Sequence, residues 1–410
     1  TVQAALKHVM EPILERDFAE QSYGFRPGRS AQQAIIRVEE ALEKGKRWIV
    51  DADLKSYFDT ISHDRLVRKI RRRIADGQII QLIESYLQAG IMEKGKGWQE
   101  TTAGTPQGSV ISPLLANLYL NDLDHLMVRK GREMVRYADD FVITGSTPEV
   151  LEHEVKPWVE QFLAIRGLSL STEKTRIVSI DEGFDFLGWN FRKYSGTLLI
   201  KPSRKNAQAF YRKVKEVISA NKTVKQEVII RLLNPMLRGW AQYHSPVVAK
   251  EAFSKMQSRV FRALLWWTKR RHRGKNAEWV RKKYFASFGD RNWVFGTEFV
   301  EDDGERRWQE LYSLASTPIR RHKKIRGDFN PFDPAQEMYG ENLRRDRMLE
   351  SMSHRKQWIR LYVDQRGLCA VCQCKITKET GWDDHHIVYR THGGSDALGN
   401  RVLLHPNCHV

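Results

Sequence analysis

Apolar residues along the first 200 positions follow two periods. Leu115, Leu118, Tyr119, Leu123 and Leu126 recur at helical spacing, whereas Trp48 to Asp53 and Met134 to Thr144 read as short strands bounded by turn residues. The mixture predicts an α+β domain. From Lys201 to about Asp290 only the helical period is present, in Val214, Val217, Ile218 and again in Phe261, Leu264, Leu265. Gly327 to Pro334 concentrates turn formers and predicts a linker, and the stretch from about Ser351 onward reads as a small separate module. No apolar run approaches the ~18 residues of a membrane span, since even Leu264 to Trp267 is flanked by Arg262 and Lys269.

Charge sharpens this division. The 410 residues carry a net charge of +18, a single-sign excess that attracts polyanions. It is concentrated: residues 201–290 hold 22 basic and 5 acidic side chains, net +17, while residues 1–200 hold 27 and 28, net −1. The helical segment is therefore where a polyanion is expected. All four cysteines lie between Cys369 and Cys408, which excludes a chain-wide disulfide framework and points to a local metal site in a reducing compartment.

Candidate chemistry begins with the acids. In Trp48-Ile49-Val50-Asp51-Ala52-Asp53 the strand period puts Asp51 and Asp53 on one face, opposite Trp48, Val50 and Ala52. Met134 to Ile143 is two apolar arms around Asp139-Asp140, the pattern of a β-hairpin with acids at its tip. Crowded carboxylates repel, so Mg²⁺ is the natural neutraliser, and two such ions can activate a hydroxyl and stabilise a leaving phosphate.

These blocks, VDADLKSYFD and YADD with GTPQGSVISPLLANLYL between them, resemble a reverse transcriptase of the group II intron type. SYGFRPGRSAQQA, LSLSTEKT, FDFLGWNF and LNPMLRGWAQYH follow in the family's order. The resemblance implies a right-hand polymerase: fingers and a ferredoxin-like palm sheet with helices over residues 1–200, then an α-helical thumb or maturase domain over 201–290. It assigns Asp53, Asp139 and Asp140 as metal-binding carboxylates, with the carbonyl of Leu54 helping and Asp51 supporting. Phe58 would crowd the sugar 2′ position and favour deoxynucleotides; Gln107, between Pro106 and Gly108, would contact the incoming nucleotide. Lys174 would protonate departing pyrophosphate, Phe186-Leu187-Gly188 would grip the primer, and Arg26 and Arg29 would lie near template or nucleotide. Relatives of this type carry a basic, Gly-rich stretch ahead of the position of Thr1, so the fingers are expected to be N-terminally incomplete.

In the basic segment, aromatics such as Tyr211, Trp240, Tyr243, Trp266, Trp267, Trp279 and Tyr284 are interleaved with the cations. Cations hold phosphates and rings stack on unpaired bases; most of these rings are expected in the core, and Lys269-Arg270-Arg271-His272-Arg273 and Arg281-Lys282-Lys283 are the better binding candidates. By resemblance this domain binds intron RNA and aids splicing. Residues 291–350, with Arg320, Arg321, Lys323, Lys324 and Arg326, would contact target DNA and lead into a module over 351–410.

That module holds Cys369-x-x-Cys372 and His405-x-x-Cys408, two ligand pairs spaced to share one structural Zn²⁺, with Cys374 as an alternative ligand. Asp384-His385-His386-Ile387, Gly393-Gly394, Asn400 and Cys408-His409 resemble an HNH endonuclease on a zinc-stapled ββα fold. The resemblance implies that His385 and His409 hold a catalytic Mg²⁺ or another divalent ion, that His386 is the general base on water, and that Asn400 fixes the loop aiming it; Asp384 is an alternative to His385. The expected whole is an RNA-directed DNA polymerase, splicing maturase and DNA-nicking endonuclease of a mobile intron. Its partners would be intron RNA, target DNA and deoxynucleoside triphosphates, with no membrane, in a bacterial-type cytoplasm at the nucleoid, and with a homodimer left open. A maturase or host reverse transcriptase without endonuclease activity is the competing expectation.

Overall fold

The computed structural model describes residues 2–93, 97–99, 101, 103–106, 108–288, 291–300, 306–352, 356–389, 392–395 and 397–408. Its contacts fall into two units, Thr1–Gly327 and Asp328–Val410. Among the described residues no helix is long and apolar enough to cross a membrane.

The first unit is α+β. Its central sheet has the strand order Glu133–Tyr137, Asp140–Gly145, Trp48–Ala52, Arg176–Ser179, antiparallel throughout. Alternation sends Val50, Ala52, Met134, Phe141 and Ile143 into one apolar cluster with the helix Ser112–Arg129, and Ile49, Val135 and Val142 into a second with the helix Ala31–Glu43. Both faces are thus covered, and the face that carries Asp51 is apolar at Ile49. Two strands buried on both faces hold their register firmly, because a slip of one residue would exchange two cores.

A charged network is buried inside this packing. Arg136 and Asp124 both have fully buried side chains. The guanidinium donates from Nε and Nη2 to the Asp124 carboxylate at 2.9 and 2.6 Å, from Nη1 to Asn117 Oδ1 at 2.9 Å, and from Nη2 to Ser22 Oγ at 2.8 Å. Nη1 also donates to the carbonyl of Ala138 at 2.8 Å, inside the hairpin turn. The buried ion pair persists because every donor has a partner.

The chain then forms a second antiparallel sheet, Phe184–Phe186, Trp189–Tyr194 and Thr197–Pro202, followed by helices Arg204–Ala220, Gln226–His244, Lys250–Arg271 and Ala277–Tyr284. The helical period is realised: Val214, Ile218, Ile230, Leu237, Val260 and Leu264 are buried in one core. Of the interleaved rings, Trp240, Trp267 and Tyr284 are buried while Trp266 is 74% exposed. A third sheet, Phe285–Phe288, Arg291–Val300 and Arg306–Glu310, closes this region.

The second unit has helices Glu337–Met352 and Lys356–Asp364 and an antiparallel pair, Asp383–His386 with Arg401–Leu404. Its buried apolar side chains are few, led by Met348, Met352, Leu361, Tyr362, Ile376, Leu403 and Leu404. A core this small ordinarily needs a staple.

Arg136→Met should cost the first unit about 3–5 kcal/mol, by stranding the Asp124 charge. The loss would be read as a lower urea midpoint, and adding Asp124→Leu should recover most of it. An unmoved midpoint in the single variant would show the network to be energetically idle.

Candidate active site

Register brings the acids together. Ala52 pairs with Phe141, so the next residue on one strand, Asp53, stands beside the residue before Phe141 on the other, Asp140. Tyr137 pairs with Asp140, leaving Ala138 and Asp139 as a two-residue turn. Ala138 has φ +59°, a left-handed conformation uncommon for alanine. Two contacts impose it: the Arg136 bond to its carbonyl, and Gly24, where a Cβ would lie 2.3 Å from the Ala138 nitrogen.

The electrostatics follow from this crowding. Asp140 is pushed up to about 6, by desolvation first and then by Asp139, Asp53 and Asp51. Asp139 is also raised, by desolvation and then Asp53, with Lys174 and Arg136 drawing it back. Asp51 reaches about 6 through desolvation, with Asp185 and Asp53 adding to it and Arg176 opposing. Asp140 is nonetheless exposed at the strand end, so water screens much of what the repulsion costs. Lys174 Nζ donates to Asp53 Oδ2 at 2.7 Å. The segment that carries it is laid along the strand by Lys55 N to Ser169 O at 3.0 Å and Ser171 N to Asp53 O at 2.8 Å, with Leu54 bridged to Leu170. A cluster of acids with one lysine at its rim is a donor set suited to divalent cations.

Around the acids, Phe58 is half-buried against Tyr57, with ring centroids 5.5 Å apart, and its carbonyl accepts from Thr105 N at 2.7 Å. That bond draws the 104–106 loop to the same place; Gln107 lies outside the described residues. Ser112 begins the following helix rather than capping it, and its hydroxyl donates to the Pro106 carbonyl at 3.0 Å. The two fingers arginines are occupied elsewhere. Arg26 is buried, bonded to Glu15 and to the carbonyls of Ala19 and Ser22, and Arg29 donates to the carbonyls of Glu20 and Gly327. Burial lowers Arg29 to about 10, with Arg26 adding to the effect.

The hairpin of Phe184–Phe186 and Trp189–Tyr194 turns through Leu187 (φ +51°) and Gly188 (φ +82°). Residues that the motif alone did not reveal brace it. Tyr243 donates to the Leu187 carbonyl at 2.9 Å and stacks on Trp189 at 4.3 Å, while Trp240 Nε1 and His244 Nε2 both meet Asn206 Oδ1 at 3.0 Å. Burial lowers His244 to about 4, which keeps it a neutral donor. Three side chains of RGWAQYH, those of Trp240, Tyr243 and His244, thus direct polar atoms at the Leu187 carbonyl and at Asn206. Of the basic runs, Arg271 donates to the carbonyls of Lys222 and Val224, and Lys324 pairs with Glu40, whereas Arg270, Arg273, Arg281, Lys282 and Lys283 are exposed.

In the second unit, the ligand atoms of Cys369, Cys372, His405 and Cys408 lie within 4.8 Å of one another. Cys374 is not of this group; its carbonyl accepts from Cys369 N at 2.9 Å and closes the knuckle. His405 Nε2 meets the Lys375 carbonyl at 3.2 Å, so that nitrogen carries the hydrogen and Nδ1, 3.2 Å from Cys372 Sγ, offers its lone pair inward. The Cys372 thiol is lowered to about 6 by backbone hydrogen bonding from Cys374, then by His405 and its cysteine neighbours. The set fits a soft, tetrahedral cation. Nearby, His385 and His386 face opposite ways on the strand Asp383–His386. Asn400 Oδ1 accepts from Val388 N at 2.8 Å and Nδ2 donates to the carbonyls of Val388 and Ser395, tying down the loop after His386. Asp384 is held by Arg401 and by Trp358 Nε1 at 2.6 Å. His409 lies outside the described residues.

Known families map onto the same segments. The profile of the reverse transcriptase (RNA-dependent DNA polymerase) matches residues 1–191, that of the group II intron maturase-specific domain residues 207–285, and that of the HNH endonuclease residues 369–410. Protein YkfC of Escherichia coli is 36% identical over 228 residues, covering 46% of this chain and 59% of that protein. An uncharacterized 91 kDa protein in the cob intron of Schizosaccharomyces pombe is 28% identical, over 62% of this chain and 41% of that one. The group II intron-encoded protein LtrA of Lactococcus lactis is 38% identical over 159 residues, 38% of this chain and 25% of LtrA. The chain thus spans at most 59% of the length of these curated relatives.

The sign of the Asp140 shift gives a test. A carboxyl whose folded pKa exceeds its unfolded value near ~4 binds more protons when folded, so stability falls as pH rises from about 4 to 6 and stays lower above. Asp140→Asn should raise the metal-free melting temperature by roughly 1–3 °C at pH 8 and by nothing at pH 4. An equal gain at both pH values would remove charge crowding as the cause.

Proposed function

We propose that this chain, which is similar to reverse transcriptase, group II intron maturase-specific and HNH endonuclease families in successive segments, is a group II intron-encoded protein that copies intron RNA into DNA, assists the splicing of that RNA, and nicks target DNA to supply a primer. One observation carries the polymerase reading: strand register sets Asp53 against the Asp139-Asp140 turn although the two lie far apart in the chain.

Asp53, Asp139 and Asp140, with the Leu54 carbonyl, would hold Mg²⁺. When bound, two such ions supply a neutralised, activated primer hydroxyl and charge compensation for departing pyrophosphate. The chain's own groups do the rest. Asp51 shares their field from the same face, two residues before Asp53, and Lys174, now on Asp53, is free to swing toward the leaving phosphates once a cation replaces it. Phe58 walls the sugar side beside the 104–106 loop, and Gln107, next in the sequence, would contact the incoming deoxynucleoside triphosphate. The Leu187–Gly188 turn grips the primer, and Trp240, Tyr243 and His244 hold the turn in place. Arg26 and Arg29 act by shaping the fingers rather than by touching nucleotide, because their donors are taken up by Glu15 and by backbone carbonyls.

The basic helices over 201–290 would bind intron RNA through exposed Arg and Lys, and the cluster from Arg320 to Arg326 would meet target DNA. In the second unit, Zn²⁺ on Cys369, Cys372, His405 and Cys408 would staple a small core. His385 and His409 would take the catalytic divalent ion, His386 would receive the proton of the attacking water, and Asn400 keeps the loop beside it fixed. Asp384, held by Arg401 and Trp358, serves as a brace rather than a ligand.

Replacing Asp139 and Asp140 by Ala should abolish extension of a DNA primer on an RNA template while leaving RNA affinity within about twofold; extension that persists would refute the two-metal assignment. His386→Ala should stop strand nicking and leave copying intact. If copying failed too, the HNH segment would not be an independent module.

A further inference from the structure

Two hollows beside the Arg291–Val300 strand have no part in the reading above. The larger, of about 750 Å³, is open-mouthed, with an apolar floor that includes Phe261, Leu264, Phe295 and Leu314. The smaller, of about 520 Å³, is lined by Arg281, Lys282 and Ser287 among others. Asn292 and Trp293 line both, so one indole stands between an apolar chamber and a basic one. A volume of several hundred Å³ is ample for a nucleobase.

Trp293 occupies this position against local preference. Ala286 pairs with Val294 and Phe288 with Arg291, so Ser287 faces both Asn292 and Trp293 in a β-bulge. Trp293 has φ +58°, a left-handed conformation that a bulky side chain rarely adopts. Bulges re-aim side chains, and strain of this kind gathers where a surface binds something. Here the outcome is a ring left 40% exposed in a region where Trp267 and Tyr284 are buried. Phe261 and Phe285 meet it at 79° and 59°, fixing its orientation, and the Arg281 guanidinium lies 5.7 Å from its centroid.

A flat apolar surface with cations at its edge matches an unpaired nucleotide, whose base seeks a ring to stack on and whose phosphate seeks a charge. We propose that these adjacent hollows bind a single unstacked nucleotide of a folded RNA, its base against Trp293 in the larger chamber and its phosphate on Arg281 and Lys282 in the smaller. The net +17 of residues 201–290, which include both cations, argues for RNA over a protein segment. The inference rests on the RNA-binding reading above and adds the structural feature that is recognised.

The test measures binding of the full chain to three probes: an RNA hairpin with one bulged 2-aminopurine, the same hairpin without the bulge, and the bulged hairpin as DNA. The bulged RNA should bind about tenfold more tightly than the unbulged one, and its 2-aminopurine fluorescence should be quenched on binding. Trp293→Ala should erase the preference and the quenching while leaving the affinity for unbulged RNA unchanged. Trp293→Gly, which relieves the left-handed conformation and so keeps the bulge, should do the same. Equal binding of the two RNA hairpins, a preference that survives both substitutions, or tighter binding of the bulged DNA than of the bulged RNA would overturn the proposal. Absence of salt-sensitive binding to any RNA would instead overturn the RNA-binding reading on which it rests.

Discussion

Mutual repulsion among Asp53, Asp139 and Asp140 is the constraint around which the first unit is built. Three carboxylates do not gather of their own accord; something must hold them against their charge. The holding is done by register. The Trp48–Ala52 strand pairs on both sides and is packed on both faces, so it cannot slide to relieve the crowding. The raised pKa of Asp140, near 6, reflects desolvation first and then the enforced proximity of Asp139, Asp53 and Asp51. Lys174 on Asp53 offsets part of it, and a divalent cation would offset far more.

A second layer holds the strands' ends. The Ala138–Asp139 turn is strained and would relax without the Arg136 bond to its carbonyl and the close approach of Gly24. Arg136 is anchored in turn by Asp124 and Asn117, on the helix that precedes its strand, and by Ser22, which is distant in sequence. The hairpin at Leu187 is treated in the same way, with Tyr243 on its carbonyl and Trp240 and His244 on Asn206. In both places polar atoms are spent on fixing a turn that carries candidate site residues, a use of buried polarity that costs stability unless every partner is present.

Much of this was legible in the chain. Strand alternation and the acid pair give the hairpin, and ligand spacing gives the set Cys369, Cys372, His405 and Cys408. Isolated polar residues were harder. Arg26 beside a Pro-Gly turn has the look of a surface cation, yet Glu15 and two carbonyls bury it. Arg136 alternates with apolar neighbours as an outward residue would, and only tertiary packing sets Asp124 against it. Trp293 was beyond reach for a different reason: a bulge with positive φ is signalled by glycine, and here a tryptophan takes the place. The three strands between Phe285 and Glu310 begin inside the segment whose apolar residues recur at helical spacing, and that period hides the change to strand.

The central claim, one cation cage made by acids from two separate parts of the chain, is most directly tested by counting Mn²⁺ ions bound per chain at pH 7.5 by electron paramagnetic resonance. Asp53→Asn and the Asp139→Asn, Asp140→Asn pair should each remove the same ions, and combining all three changes should remove no more. A further loss in the combined variant would mean two independent sites, and the shared cage would have to be abandoned.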